Sequence, residues 1–86
     1  MTLAREILAL LAPRNDRETD FPAIYIMLNT APGGNYQERY NEAEIQRTLV
    51  ELVAGGAVAE ERNADQVVTY RITAAGRARL QEREAD

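Results

Sequence analysis

Apolar residues recur at helical spacing along the first dozen positions of the chain. Thr2 precedes this stretch, and its hydroxyl is suited to cap a helix because it can accept a hydrogen bond from a free N–H group of the first turn. Pro13 interrupts the pattern, which predicts a first helix that runs to about Ala12. Residues 14–20 are polar and predict a loop, in which a short strand could form beside Thr19. The helix would have a broad apolar face made of Leu3, Ile7, Leu8, Leu10 and Leu11.

A second apolar stretch begins directly after Asp20. Asp20 can cap a helix, and Pro22 is tolerated in a first turn because its missing N–H group would be unpaired there anyway. Residues 24–28 would also suit a short strand by periodicity alone, but the cap and the proline favour a helix. The segment 32–35, Pro-Gly-Gly-Asn, is a strong break after it. The apolar positions follow the i, i+3, i+4, i+7 spacing and are Phe21, Ile24, Tyr25 and Leu28.

The third helix has the clearest local pattern. Asn41 and Glu44 are three residues apart and resemble a capping box, with asparagine in place of serine or threonine. Gly55 and Gly56 are typical of a helix end, since glycine adopts the left-handed conformation that closes a helix. The predicted helix spans residues 42–54, and its inward face consists of Ile45, Leu49, Leu52 and Val53.

Two β-strands and a last helix are predicted after the glycines. Residues 57–62 predict one strand and residues 63–66, Asn-Ala-Asp-Gln, a turn. Residues 67–72 are rich in branched and aromatic side chains and predict the second strand. Three helices, a hairpin and a helix make an α+β fold. Val68, Tyr70 and Ile72 would share one face of the hairpin, and Thr73 would cap a helix through Arg77, Leu80 and Glu84.

Length and composition predict one soluble domain over residues 1–86. The apolar fraction of 45% and the charged fraction of 28% are ordinary for a globular protein. No apolar run approaches the roughly 20 residues that cross a bilayer, so no membrane partner is expected. The first residues have an early acid and do not resemble a signal peptide, which predicts a cytoplasmic location.

The chain contains no cysteine and no histidine, which removes several classes of function. Disulfides, zinc held by thiolate or imidazole, and catalysis by a histidine base are excluded. Asp16, Glu18 and Asp20 alternate but lack the glycine and the distal glutamate of a calcium loop, so we interpret them as a solvated loop. We therefore expect no enzyme, no cofactor and no metal site.

Two stretches in the second half of the chain resemble a known family. Residues 49–58, Leu-Val-Glu-Leu-Val-Ala-Gly-Gly-Ala-Val, resemble the pattern of this family, in which two leucines three positions apart are followed by a glycine-centred turn and an apolar residue. Residues 70–77, Tyr-Arg-Ile-Thr-Ala-Ala-Gly-Arg, resemble the sequence that closes the wing in MarR-like and PadR-like regulators. The resemblance covers residues 41–80 and implies a winged helix with a three-helix core, a two-stranded antiparallel wing and a C-terminal helix. The connection over residues 30–41 is longer than the turn of the simplest helix-turn-helix, although PadR-like proteins can carry a longer one.

The resemblance implies a DNA-binding transcriptional regulator that reads double-stranded DNA. In this family the third helix enters the major groove and the wing meets the backbone or the minor groove. Gln46 and Arg47 could contact base edges, Arg62 and Arg71 would lie on the wing, and Arg39 could reach a phosphate. All ten basic residues are arginine, but the net charge is −4, and DNA binding requires a local basic patch. The acids that would oppose DNA are Glu42, Glu44, Glu51, Glu60, Glu61 and Asp65.

The alternative hypothesis is a winged-helix protein-interaction module that does not bind DNA. It accounts for the small apolar residues on the outer face of the third helix, Ala43, Val50 and Ala54. Tyr36 would contribute to such an interface, since tyrosine is favoured there. Tyr40 would instead pack under the third helix, as the residue before its cap. A homodimer is a further option that the sequence leaves open.

Overall fold

The computed structural model describes residues 2–14, 19–31 and 33–82, and it has an α+β fold. These residues form four α-helices and three β-strands, and the predicted α+β class is confirmed. A short 3-10 turn, Ala12–Arg14, follows the first helix, so the chain keeps turning for two residues past the predicted end at about Ala12. In chain order the elements are α1 (Leu3–Leu11), β1 (Thr19–Asp20), α2 (Phe21–Leu28), α3 (Glu42–Ala54), β2 (Val58–Arg62), β3 (Val68–Ile72) and α4 (Ala74–Gln81).

Each helix begins directly after the residue that the sequence predicts as its cap. The capping box of α3 is complete: the Glu44 N–H group donates to Asn41 Oδ1 at 2.9 Å, and the Asn41 N–H group donates to Glu44 Oε1 at 3.3 Å. Side chains of Thr2, Asp20 and Thr73 accept the equivalent bonds at the other three helices. The predicted extension of α4 to Glu84 lies outside the described residues.

The hairpin β2–β3 is antiparallel and belongs to a three-stranded sheet with the order β1-β3-β2. The predicted two-stranded hairpin therefore gains a third strand, because Thr19 pairs with Tyr70, and the short strand that the sequence offered beside Thr19 is present as β1. The predicted turn over residues 63–66 is confirmed, and Asn63 Oδ1 holds it by accepting from the Asp65 and Val67 N–H groups at 2.9 and 3.0 Å.

One apolar core lies between the helices and the sheet. α1, α2 and α3 each turn one face inward, and the hairpin covers the same core with two residues. Tyr70 and Val53, both predicted to point inward, are only half-buried and pack at the edge. The buried apolar residues are Ile7, Leu8, Leu11, Ile24, Leu28, Ile45, Leu49, Leu52, Ala57, Val58 and Ile72.

Two arginines join α1 and α4, and each of them contacts the C-terminal end of the other helix. Arg5 on α1 donates to the carbonyl groups of Arg79 and Leu80 at 3.1 and 2.6 Å. Arg77 on α4 donates to the carbonyl of Ala12 at 2.8 Å. Each guanidinium thus satisfies backbone acceptors that a helix C-terminus leaves unpaired and complements the negative end of the helix dipole.

Candidate functional site

The inward face of α3 fixes which of its residues face solvent. Ile45, Leu49 and Leu52 are at most 2% exposed, and they anchor the helix over three turns. After α3 the chain passes through Gly55 and Gly56 to β2, and Gly56 has a φ of +81° that only glycine adopts readily. The three buried residues therefore fix the rotation of the helix about its axis, and its opposite side faces solvent.

Four residues form a row along the outer side of α3. Ala43, Arg47, Val50 and Ala54 are spaced by four, three and four positions, and all are exposed. Val50 is 66% exposed, more than any other large apolar side chain of the described residues. The row spans about 16 Å at the usual helical rise. We call these four residues the outer row.

Acidic side chains flank the outer row. Glu44 and Glu51 are seven positions apart and lie on one side of it, and Glu42 lies on the other side next to Gln46. Within residues 2–14, 19–31 and 33–82, neither Arg47 nor Gln46 forms a side-chain hydrogen bond or ion pair. The outer side of α3 thus presents one guanidinium among three carboxylates.

Arg39, the predicted phosphate contact, is held in a network with α1. Its Nη2 atom forms an ion pair with Glu6 Oε1 at 2.6 Å and donates to the Tyr40 hydroxyl at 3.2 Å. Its guanidinium also lies 5.0 Å from the centre of the Tyr40 ring. The Tyr40 hydroxyl donates to Glu6, and this bond, together with burial, raises the tyrosine pKa. Tyr40 is half-buried before the α3 cap, as the sequence predicts, and it links α3 to α1.

Arg62 and Arg71 lie on opposite faces of the hairpin. Arg62 pairs with Val68 and Arg71 with Ala59 in the register, and side chains alternate between faces along a strand. The Nε atom of Arg71 lies 3.6 Å from Glu61 Oε1. The Nη1 atom of Arg62 donates to the carbonyl of Gln66 in the turn at 3.4 Å. The two arginines therefore do not form one basic patch.

Tyr36, the predicted interface tyrosine, is exposed but lies in the connection between α2 and α3. Its hydroxyl donates to that of Tyr25 at 3.1 Å, and Tyr25 in turn donates to Glu38. The bond to Glu38 raises the pKa of Tyr25 above its ordinary value. Tyr36 also forms a single antiparallel bridge with Thr30, so its backbone is anchored.

Asn29 positions the start of α3, and the sequence pattern did not point to it. Its side chain is 1% exposed and forms four hydrogen bonds. Nδ2 donates to the carbonyls of Tyr25 and Tyr40 at 3.0 and 3.1 Å, and Oδ1 accepts from the N–H groups of Arg39 and Tyr40 at 2.7 and 3.0 Å. The available signal was a polar amide placed directly after the last apolar residue of α2.

The described residues contain no group of three or more carboxylates arranged to hold a metal ion. Asp20 caps α2 through a bond from the Ala23 N–H group at 3.1 Å, and Asp16 and Glu18 lie outside the described residues. No helix in the described part of the chain is long and apolar enough to cross a membrane. Comparison of the chain with protein families, with curated proteins and with solved structures finds no match.

Proposed function

We propose that the chain is a winged-helix domain similar to those of MarR-like and PadR-like regulators. The order of elements supports this proposal, because β1 lies between α1 and α2, and α3 is followed directly by the hairpin and by α4. The pairing of β1 with β3 agrees with a hairpin anchored beside a three-helix core. In that fold α3 is the recognition helix and the hairpin β2–β3 is the wing.

The proposed activity of this domain is protein binding through the outer row of α3. The observation that carries it is the 66% exposure of Val50, which lies between Arg47 and Ala54 on a helix face that no described residue covers. Apolar side chains exposed in this way lose contact with water when a partner covers them, and this is the main favourable contribution in most protein association.

The charge of the same surface disfavours nucleic acid as its partner. α3 and the hairpin together carry six carboxylates and three guanidinium groups, for a net charge of −3. Binding to DNA derives most of its non-specific affinity from neutralising phosphates, which this surface would repel. Arg39 and Arg71 are also paired with glutamates, so a phosphate contact from either would have to break an ion pair.

A DNA-binding transcriptional regulator is the second candidate, and it rests on two residues. Gln46 and Arg47 are both exposed on α3, and their side chains can pair with adenine and guanine edges. The two candidates share the fold and the recognition helix, and they differ in the partner alone.

Titration with mixed-sequence duplex DNA at about 50 mM salt separates the two candidates, because phosphate contacts are strongest at low salt. We expect no saturable binding, whereas a Kd below about 1 μM would overturn the proposal in favour of the regulator. In that case Arg47→Ala should cost about 1–3 kcal/mol and relax specificity at one base position. Arg62→Ala should instead weaken binding evenly across sequences and make it less salt-dependent.

A comparison of bound proteins tests the protein-binding activity itself. The wild-type chain and Val50→Glu are immobilised side by side, together with Glu82→Lys as a surface control at the end of α4. We expect at least one protein to be retained by the wild type and by the control and lost with Val50→Glu. Identical retention by all three would contradict the role of the outer row.

A further inference from the structure

The shape of the outer row suits a second helix lying along it. Ala43 and Ala54 stand at its two ends, and Val50 projects between them. Single-carbon side chains allow two helix axes to approach to about 8 Å, at the short end of the usual range. A partner segment of about eleven residues matches the length of the row at the usual helical rise.

The charges beside the row determine which helix fits. Glu44 and Glu51 form an acidic edge along one side, Glu42 adds a third carboxylate on the other, and Arg47 is the one cation on this face of α3. The face therefore has a net charge of −2. A second copy of the chain would bring the same negative face, and DNA would bring phosphates, so both are repelled. A helix with basic residues beside its apolar face is attracted.

From this complementarity we infer that the outer row binds a basic amphipathic helix of another protein. The apolar side of that helix covers Val50 and the two alanines, and its lysine or arginine side chains pair with Glu44 and Glu51. The inference rests on the proposed protein-binding function and adds the chemical class of the partner. In such a partner helix, the apolar residues that contact a binding surface recur at i, i+3, i+4 and i+7.

A designed peptide pair tests the inference with the full chain. The probe is a fluorescein-labelled 14-residue helical peptide with leucine at the apolar spacing and lysine at the flanking positions. The matched peptide has glutamate in place of every lysine. Fluorescence anisotropy at about 50 mM salt should give binding of the lysine peptide at least about tenfold tighter than of the glutamate peptide, weakening as salt screens the charges.

Val50→Glu distinguishes docking on the row from simple attraction to an acidic protein. The substitution makes the face more negative, so attraction alone would tighten binding of the lysine peptide. Docking on the outer row predicts the opposite, a loss of affinity of about tenfold or more, because a carboxylate would be buried under the peptide. Circular dichroism should show an unchanged fold, since Val50 is 66% exposed.

A matched pair of charge reversals completes the test. Glu51→Lys and Glu82→Lys change the net charge by the same amount, but only the first alters the acidic edge of α3. We expect Glu51→Lys to weaken the lysine peptide several-fold more than Glu82→Lys. The inference would be overturned by equal effects of the two charge reversals, by no binding of the lysine peptide at millimolar concentration, or by tighter binding of that peptide to Val50→Glu.

Two further outcomes separate the inference from the proposed function. Preferential binding of the glutamate peptide, lost in Val50→Glu, would overturn the basic partner alone and leave the protein-binding function intact. Tight binding of duplex DNA would remove that function.

Discussion

Asn29 and Tyr40 form a reciprocal pair, in which the asparagine amide bonds both backbone groups of the tyrosine. Nδ2 donates to the Tyr40 carbonyl at 3.1 Å, and Oδ1 accepts from the Tyr40 N–H group at 3.0 Å. The pair fastens the end of the long connection to the end of α2, one residue before the α3 cap. The position of the outer row thus depends on a buried amide at the end of a different helix.

Asn29→Ala should therefore destabilise the fold and loosen the start of α3. The N–H groups of Arg39 and Tyr40 would lose their buried acceptor, which costs about 1–3 kcal/mol in the free energy of unfolding. Urea denaturation followed by circular dichroism measures this cost. Asn35→Ala, an exposed position in the same connection, is the control and should stay within about 0.5 kcal/mol of wild type. Equal stability of the two variants would contradict this role of the Asn29 side chain.

Leu49→Ala and Val50→Ala compare the two sides of α3 at adjacent positions. Leu49 is 1% exposed and Val50 is 66% exposed. Removing Leu49 leaves a cavity in the core and should cost about 2–5 kcal/mol. Removing the Val50 methyl groups touches no core contact and should change the free energy of unfolding by about 0.5 kcal/mol or less. Similar losses at both positions would mean that α3 is rotated from the orientation described.

Gly76→Ala should destabilise the packing of α4 on the hairpin. A Cβ atom at Gly76 would lie 2.2 Å from the carbonyl oxygen of Ala57 and 2.8 Å from Cγ1 of Ile72, so the helix would have to move away. Overpacking of this kind costs about 1–3 kcal/mol in thermal or urea unfolding.

Gly55→Ala is the matched control for this substitution. Its new Cβ atom would approach no other atom closer than 3.4 Å, and Gly55 has a φ of −83° that alanine adopts freely. We expect this variant to be neutral, or more stable by about 0.4–1 kcal/mol because the unfolded chain loses conformational freedom. A loss equal to that of Gly76→Ala would show that the contact with Ala57 is not the cause.

The bond from Tyr40 to Glu6 should make stability depend on alkaline pH. It raises the folded-state pKa of Tyr40 above 10.0, so the unfolded chain releases this proton first. The stabilisation is fully present below about pH 10 and is lost as the pH rises through the folded-state pKa. The difference in urea midpoint between wild type and Tyr40→Phe should therefore shrink from pH 9 to pH 11. In the background of Glu6→Gln, which removes the carboxylate, that difference should change less with pH; an unchanged difference in wild type would contradict the bond.

The caps, the hairpin turn and the phase of α3 were predictable from sequence because they depend on residues close together in the chain. The Asn41–Glu44 box and the Thr73 cap each link positions three apart, and the Asn63 turn links positions two and four apart. The apolar spacing of Ile45, Leu49 and Leu52 likewise fixes one side of a helix whatever it packs against. The exposure of Val50 followed from this spacing, and the structure agrees with it.

Contacts between distant residues were decided by tertiary structure alone. Arg39, which the sequence predicts as a phosphate contact, is brought by folding to Glu6, which is 33 positions away. Arg5 and Arg77 reach the carbonyls of helices more than 60 positions distant, which no local pattern encodes. A charged side chain on a flexible stem binds whichever acceptor the packing of helices brings within reach. Sequence therefore determined the elements and the outer row of α3, whereas packing determined which arginines became structural and left Arg47 exposed among glutamates.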